Sequence, residues 1–301
     1  MGKRPNRSKR RVFRRGLCLV MAISVILLWL TGYMETLFYH PTPGTMTPPP
    51  NFRNVESITF FSEDGTKLHG WFIPAQNQAS PSEAATILHV HGNAGNIESH
   101  IWFTEYLPQA DFNLFIFDYR GYGQSEGSAR SRKPLIDDTN AALEALLARQ
   151  DIDHSRIGMY GQSLGGAIGL NVMAQRPEIK AAVLESSFAS WREVAASAVG
   201  GDPPNILGRG LARLLIKDSH KPVYAISRID MPILIFHGSN DSLVPISHGR
   251  RLADAGPMAE LVEFEGGEHN SLRATHAELE SLTIEFFYKH LQGKRLENAE
   301  P

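Results

Sequence analysis

From Val55 to Leu291, short apolar runs of strand character alternate with segments whose apolar residues recur at helical spacing. That alternation constrains the fold more than any other feature of the chain. "VESITFF" and "LHGWFIP" flank the turn "SEDGTK" and are expected to pair as an antiparallel hairpin. Strands are then expected in "TILHVHG", "NLFIFDY", "RIGMYG", "KAAVLES", "PILIFHG" and "LVEFEG". Helical patterns fall in "IESHIWFTEYLPQ", "PLIDDTNAALEALLARQ", "SLGGAIGLNVMAQRP" and "HGRRLADAG", with a last helix from about Arg273 to Leu291. Strands that alternate with helices imply a mostly parallel eight-stranded sheet with helices on both faces. Ser187 to Asp230 interrupts the rhythm before the seventh strand. A long excursion there reads as a helical cap insertion, at about 187–230. Within it, "ILGRGLARLLI" (Ile206–Ile216) is a candidate amphipathic helix, its apolar face lying either on a membrane or on the protein's own core.

The ends of the chain differ from this body. Residues 1–15 carry eight lysines and arginines and no acidic residue, which leaves the remainder with 22 basic against 32 acidic residues. An acidic body argues against nucleic acid as a partner. "GLCLVMAISVILLWLTGYM" (Gly16–Met34) follows, 19 residues without a charge. As a helix it would span about 28 Å, close to the hydrocarbon thickness of a bilayer. A cleaved signal peptide is the competing reading, but the run is long for one and no small-residue cleavage site follows. Cys18 opens the run rather than closing it, unlike a lipoprotein signal. The expectation is a basic cytoplasmic head (1–15), a single-pass anchor (16–34), a stiff Pro-rich linker (35–54), a catalytic domain (55–293) outside the cytoplasm, periplasmic or luminal, and a short tail (294–301). Cys18 is the one cysteine, so the body contains no disulfide.

"RIGMYGQSLGGAIGL" places Ser163 between a strand and a helix, with Gly161 and Gly165 two residues away on either side. Glycines at those positions remove side chains that would collide in a sharp turn, and the serine then stands exposed above the sheet. The helix N-terminus behind it favours negative charge. The stretch fits neither a P-loop nor a dinucleotide fingerprint. A serine nucleophile needs a base, and the base needs an orienting acid. His269 follows the last strand and is the candidate base. Asp241 follows the strand before it and is the candidate acid. Glu185, ending "AVLES", is the rival acid; Asp118 precedes the serine and is the poorer one. Leu164 N–H and the Asn93 N–H in "HVHGNAGN", with Ala94 beside it, are the candidate oxyanion donors. His89, His91 and His237 read as structural. No metal-ligand spacing occurs, and no cofactor is expected.

Five segments in order carry a resemblance: "HGNAGN", "DYRGYGQSEG", "GQSLGG", "HGSNDSLVPISHG" and "EGGEHN". Together they resemble the α/β-hydrolase superfamily over roughly Val55 to Leu291. More narrowly, they resemble membrane-anchored serine hydrolases of the bud-emergence-suppressor and ABHD type, which are serine aminopeptidase-like. The resemblance implies the α/β-hydrolase fold, the triad Ser163, Asp241 and His269, a cap before the seventh strand, and cofactor-free hydrolysis of esters or thioesters. "SARSRKP" replaces the family's usual continuation after "SEG", so substrate preference does not carry over. The readings in contention are a lipid or acyl-ester hydrolase acting on a small-molecule or lipid substrate, a peptidase on the same triad, and a non-catalytic binding domain on a membrane stalk.

Overall fold

The computed structural model describes residues 38–292 together with 33–36 and positions 13, 14, 16, 17, 20, 21, 23 and 24. Most of the expected anchor, the basic head and the tail from 293 lie outside the described residues. Among the described residues no helix is long and apolar enough to cross a membrane.

In chain order the body runs β1 (Glu56–Phe61), β2 (Lys67–Ile73), β3 (Ala85–Val90), α1 (Ile97–His100), β4 (Phe112–Asp118), α2 (Arg132–Leu147), β5 (Ile157–Gln162), α3 (Leu164–Met173) and β6 (Ile179–Glu185). Three helices then form the insertion: α4 (Trp191–Gly200), α5 (Ile206–Leu215) and α6 (Pro222–Ile226). The chain closes with β7 (Ile233–Gly238), α7 (Ile246–Ala255), β8 (Ala259–Phe264), α8 (Leu272–Thr275) and α9 (Glu278–Phe287).

The sheet has eight strands in the order β1-β2-β4-β3-β5-β6-β7-β8. β1 and β2 form the expected antiparallel hairpin, with Glu56 opposite Phe72 and Phe61 opposite Lys67. β2 also runs antiparallel to β4, and every pairing from β4 onward is parallel. Both faces of this sheet are covered, which explains why its middle strands read as unbroken apolar runs. β4 is buried along its whole length. Its side chains alternate between the two cores: Phe115 and Phe117 pack on the α2–α3 side, Leu114 and Ile116 on the α9 side.

The strand order positions a site. From β3 the chain steps outward to β4, then returns past β3 to β5. Loops leaving the carboxyl ends of β3 and β5 therefore diverge and leave a crevice between them, where open α/β sheets take their ligands. The loop after β3 is 91–96, and the residue after β5 is Ser163.

Two expected helices are broken. The pattern over 97–109 yields α1, a 3-10 turn at Ile101–Phe103 and another at Pro108–Ala110. Pro108 has no N–H to continue a helix, and the Thr104 hydroxyl is held by buried His89 Nδ1 at 2.8 Å. The expected C-terminal helix divides into α8, α9 and a π turn at Tyr288–Gln292. The break falls at His276, which leaves helical geometry (φ −131°, ψ 94°) and bonds the Glu265 carbonyl at 3.1 Å.

The Pro-rich stretch, expected as a spacer, is instead stitched to the body. His40 N–H donates to Asn93 Oδ1 at 3.0 Å. Thr42 N–H donates to the Gly95 carbonyl and Gly44 N–H to the Gly123 carbonyl, each at 2.9 Å. Backbone bonds of this kind leave no mark in hydropathy.

One close approach holds the crevice in shape. A methyl group on Gly165 would lie 1.8 Å from the Val90 carbonyl oxygen. Gly165→Ala must therefore push α3 off the end of β3. It is expected to lower stability by about 3 kcal/mol, read as a fall in the urea midpoint. An unchanged midpoint would show that the two strand ends spread freely.

Candidate active site

Ser163 sits between β5 and α3 with φ 50° and ψ −112°. This left-handed conformation is strained for a residue bearing a side chain. The surroundings hold it there: Ser163 N–H donates to the Glu185 carbonyl at 2.8 Å, and the Ser187 hydroxyl donates to the Ser163 carbonyl at 3.0 Å. The result is the sharp strand-to-helix turn that the flanking glycines announce. A Cβ on Gly161 would stand 2.7 Å from the Gly166 Cα.

His269 lies in the loop after β8 and brings its Nε2 to 3.0 Å from Ser163 Oγ. Its Nδ1 lies 2.7 Å from Asp241 Oδ2. With Nδ1–H donating to the carboxylate, Nε2 is left to accept from the serine. Asp241, in the loop after β7, is itself held: its Oδ1 accepts from the N–H groups of Leu243 at 3.0 Å and Val244 at 2.7 Å. His237 braces the same loop, donating from Nε2 to the Val244 carbonyl at 2.7 Å. Burial holds the His237 pKa below the usual imidazole range, so the ring stays neutral beside Asp241. The three residues are separated by 106 and 28 positions in sequence and meet at the carboxyl edge of the sheet.

Neither rival carboxylate reaches His269. Glu185 is buried and accepts from the Tyr160 hydroxyl. Burial pushes its pKa up to about 7. Asp118 is fully buried, and its Oδ1 accepts from Ile97 N–H at 3.0 Å, fixing the start of α1. The raised Glu185 pKa has a consequence for stability. The unfolded carboxyl ionises near pH 4.5, whereas the folded one keeps its proton to about pH 7. Its contribution is therefore fully present below about pH 4.5 and is lost as pH rises through about 7. Glu185→Gln still accepts from Tyr160 and never ionises. It is expected to gain up to about 3 kcal/mol over the native chain at pH 8 and much less at pH 5, read from urea midpoints at the two pH values. An equal gain at both would mean that Glu185 is not neutral in the fold.

The loop after β3 brings Asn93 to the serine. Its side-chain oxygen accepts from Ala94 N–H at 2.8 Å and the Tyr122 hydroxyl at 3.0 Å, besides His40 N–H. Ala94 N–H is thus spent within the loop. Among the described residues, no protein acceptor takes the Asn93 or the Leu164 N–H. Both residues line the same cavity as Ser163. His91 is buried behind them, its Nδ1 2.7 Å from the Gly92 carbonyl, and burial holds its pKa well below the imidazole range. His89 is likewise buried, on Thr104.

The cavity measures about 450 Å³. Its walls come largely from the insertion: Trp191, Val194 and Ala198 of α4, Leu211 and Leu215 of α5. Phe38 and His40 complete them from the N-terminal side. The sequence pattern missed these last two. The signal for them was "FYH", two aromatic rings and an imidazole just ahead of the prolines. Among the described residues, no three of His, Cys, Asp and Glu gather as a metal ion would need.

A sequence model of the alpha/beta hydrolase fold matches residues 85–206. The Arabidopsis thaliana alpha/beta hydrolase domain-containing protein WAV2 is 33% identical over 290 residues, 90% of this chain and 92% of its own. The chain belongs to the α/β-hydrolase family. The chain is also similar to the uncharacterized Escherichia coli K12 protein YfhR, 36% identical over 235 residues, 77% of this chain and 78% of that one. Among solved structures, the Pyrococcus furiosus esterase Pf2001 superposes with a TM-score of 0.69 at 20% identity, over 84% of this chain and 98% of that one. The Pyrococcus horikoshii acylaminoacyl peptidase gives 0.66 at 18%, over 85% of this chain and 46% of that one. At these identities the likeness is one of fold. The fold, the family neighbours and the sheet-edge site together make this chain a hydrolase.

Proposed function

We propose that this chain is a serine hydrolase that cleaves carboxylic esters or thioesters of apolar acyl groups, held at a membrane by residues 16–34 with its N-terminus cytoplasmic and its body outside. The observation that carries the chemistry is the 3.0 Å approach of His269 Nε2 to Ser163 Oγ, with Asp241 2.7 Å from the other ring nitrogen. The apolar cavity beside the serine supports an acyl group rather than a charged peptide terminus.

In the proposed reaction, His269 Nε2 takes the Ser163 proton as Oγ bonds to the acyl carbon. The carbonyl oxygen becomes an oxyanion that the N–H groups of Asn93 and Leu164 stabilise. Collapse breaks the bond to the leaving oxygen or sulfur, which receives the proton from His269. Water, deprotonated by the same ring, then releases the acid from the acyl-serine. Asp241 stays ionised and stabilises the imidazolium in both halves.

The test is a panel of p-nitrophenyl esters from acetate to palmitate, with a matched anilide, on the full chain in detergent. Turnover of esters that persists into the longer chains is expected, with the anilide far slower. Activity confined to acetate would overturn the apolar-acyl reading. Comparable anilide cleavage would favour a peptidase.

A further inference from the structure

Helix α5 turns Gly208 and Ala212 inward and its large apolar side chains mostly outward. Gly208 and Ala212 are buried, and a Cβ on Gly208 would stand 2.7 Å from the Ala196 carbonyl of α4. Ile206 is 91% exposed, Leu207 66% and Leu214 54%. Leu207, Leu211 and Leu214 recur at helical spacing, so they form one stripe. Val199 and Leu243 extend the patch at 61% and 55% exposure and also line the cavity, so the stripe runs to the mouth of the site. Arg209 and Arg213, both exposed, project from the other flank of the helix. A contiguous apolar surface of this kind marks an interaction site rather than ordinary exposure.

The N-terminal segment is fastened to the same cap. The Glu35 carboxylate lies 3.4 Å from Arg132 Nε. The Arg132 guanidinium stacks 4.4 Å over the Trp191 ring of α4. It also donates to the carbonyls of Lys217 and Ser219, just past α5, at 2.8 and 2.9 Å. Phe38 meets Trp191 edge-on at 5.8 Å. The uncharged run 16–34 thus ends one residue before a side chain locked to the cap.

We infer that the exposed face of α5 docks on the lipid bilayer, its leucines entering the headgroup–acyl boundary and its arginines meeting anionic headgroups, so that the cavity opens toward the acyl chains of the membrane. The occupant is a bilayer because an uncharged run of membrane length leads in sequence straight into Glu35, which Arg132 ties to the cap, and because the flanking charges of α5 are cationic. The inference rests on the proposed acyl-ester hydrolase, and its readout is chosen not to depend on catalysis.

The experiment uses the full chain in a Cys18→Ser background, reconstituted in phosphatidylcholine–phosphatidylglycerol vesicles with brominated acyl chains. A bimane fluorophore is attached at Leu214→Cys, at Ile206→Cys, or at the exposed control Lys180→Cys, the second residue of β6, at the amino end of the strands and so opposite the site. Blue-shifted emission quenched by bromolipid at 214 and 206, and not at 180, is expected. Equal quenching at all three sites overturns the docking. Blue-shifted emission without bromolipid quenching, with or without cross-linking between copies, means that protein covers the stripe, and also overturns it. As a second readout, Leu207→Asp with Leu214→Asp is expected to slow hydrolysis of a long-chain ester embedded in vesicles by at least about tenfold and to leave a soluble short-chain ester unaffected. Equal rates on the embedded ester would overturn the inference. A preparation that quenches as expected yet hydrolyses no ester would overturn the enzyme and leave the docking standing.

Discussion

Ser163→Ala is expected to lower ester turnover by about 10⁴- to 10⁶-fold, the largest effect of any single substitution in this chain. In the proposed reaction the acyl group becomes bonded to the Ser163 oxygen, which stands 3.0 Å from His269 Nε2. What remains would be water attack assisted by the oxyanion donors. Labelling by a fluorophosphonate probe should vanish with it. Stability should barely move, because alanine keeps the Cβ and the strained φ of 50°, and the lost hydroxyl has one protein partner, His269. Ser163→Gly separates strain from chemistry. It should be as inactive as Ser163→Ala and about 1 kcal/mol more stable, since glycine adopts this conformation freely. An alanine variant that hydrolyses esters within an order of magnitude of the native chain would remove Ser163 from the reaction.

Much of this site is legible in the sequence because its parts obey local rules. A strand that ends on Gly-x-Ser-x-Gly has few ways to turn, and the clash between Gly165 and Val90 shows why no larger residue stands there. The strand before Asp241 announces itself as a buried apolar run and the one before His269 as the last of the alternating segments, so the order of the three groups along the sheet edge follows from the chain. What stays hidden depends on contacts between distant backbone atoms. The stretch from Phe38 to Gly44 has no periodicity to betray that it forms part of the cavity wall. Its attachment is a set of N–H···O bonds to Asn93, Gly95 and Gly123. The choice between the Asn93 and Ala94 N–H turns on where one amide side chain folds back, which spacing does not encode. Helix α5 is legible as amphipathic, but the outward side of its leucines is decided by the two small residues against α4.

Asp241→Asn is the second large effect, and it tests the geometry rather than the nucleophile. Asparagine fits the same pocket: its oxygen still accepts from the N–H groups of Leu243 and Val244, which now meet Oδ1 at 3.0 and 2.7 Å. The amide NH₂ then faces His269 Nδ1, where the carboxylate oxygen stood at 2.7 Å. A donor there forces Nδ1 to accept, so the ring proton moves to Nε2, the atom that takes the Ser163 proton in the proposed reaction. The imidazolium also loses the negative charge that stabilises it. Turnover is expected to fall by about 10⁴-fold with the folded state intact, as near-native urea unfolding would show. Glu185→Gln supplies the contrast, because Glu185 is occupied by Tyr160 and does not touch His269. Its turnover should stay close to native, its effect confined to stability and growing as pH rises from about 4.5 until it is complete above about 7. Were the two results exchanged, the orienting carboxylate would be the one ending β6, and the loop after β7 would carry no catalytic group.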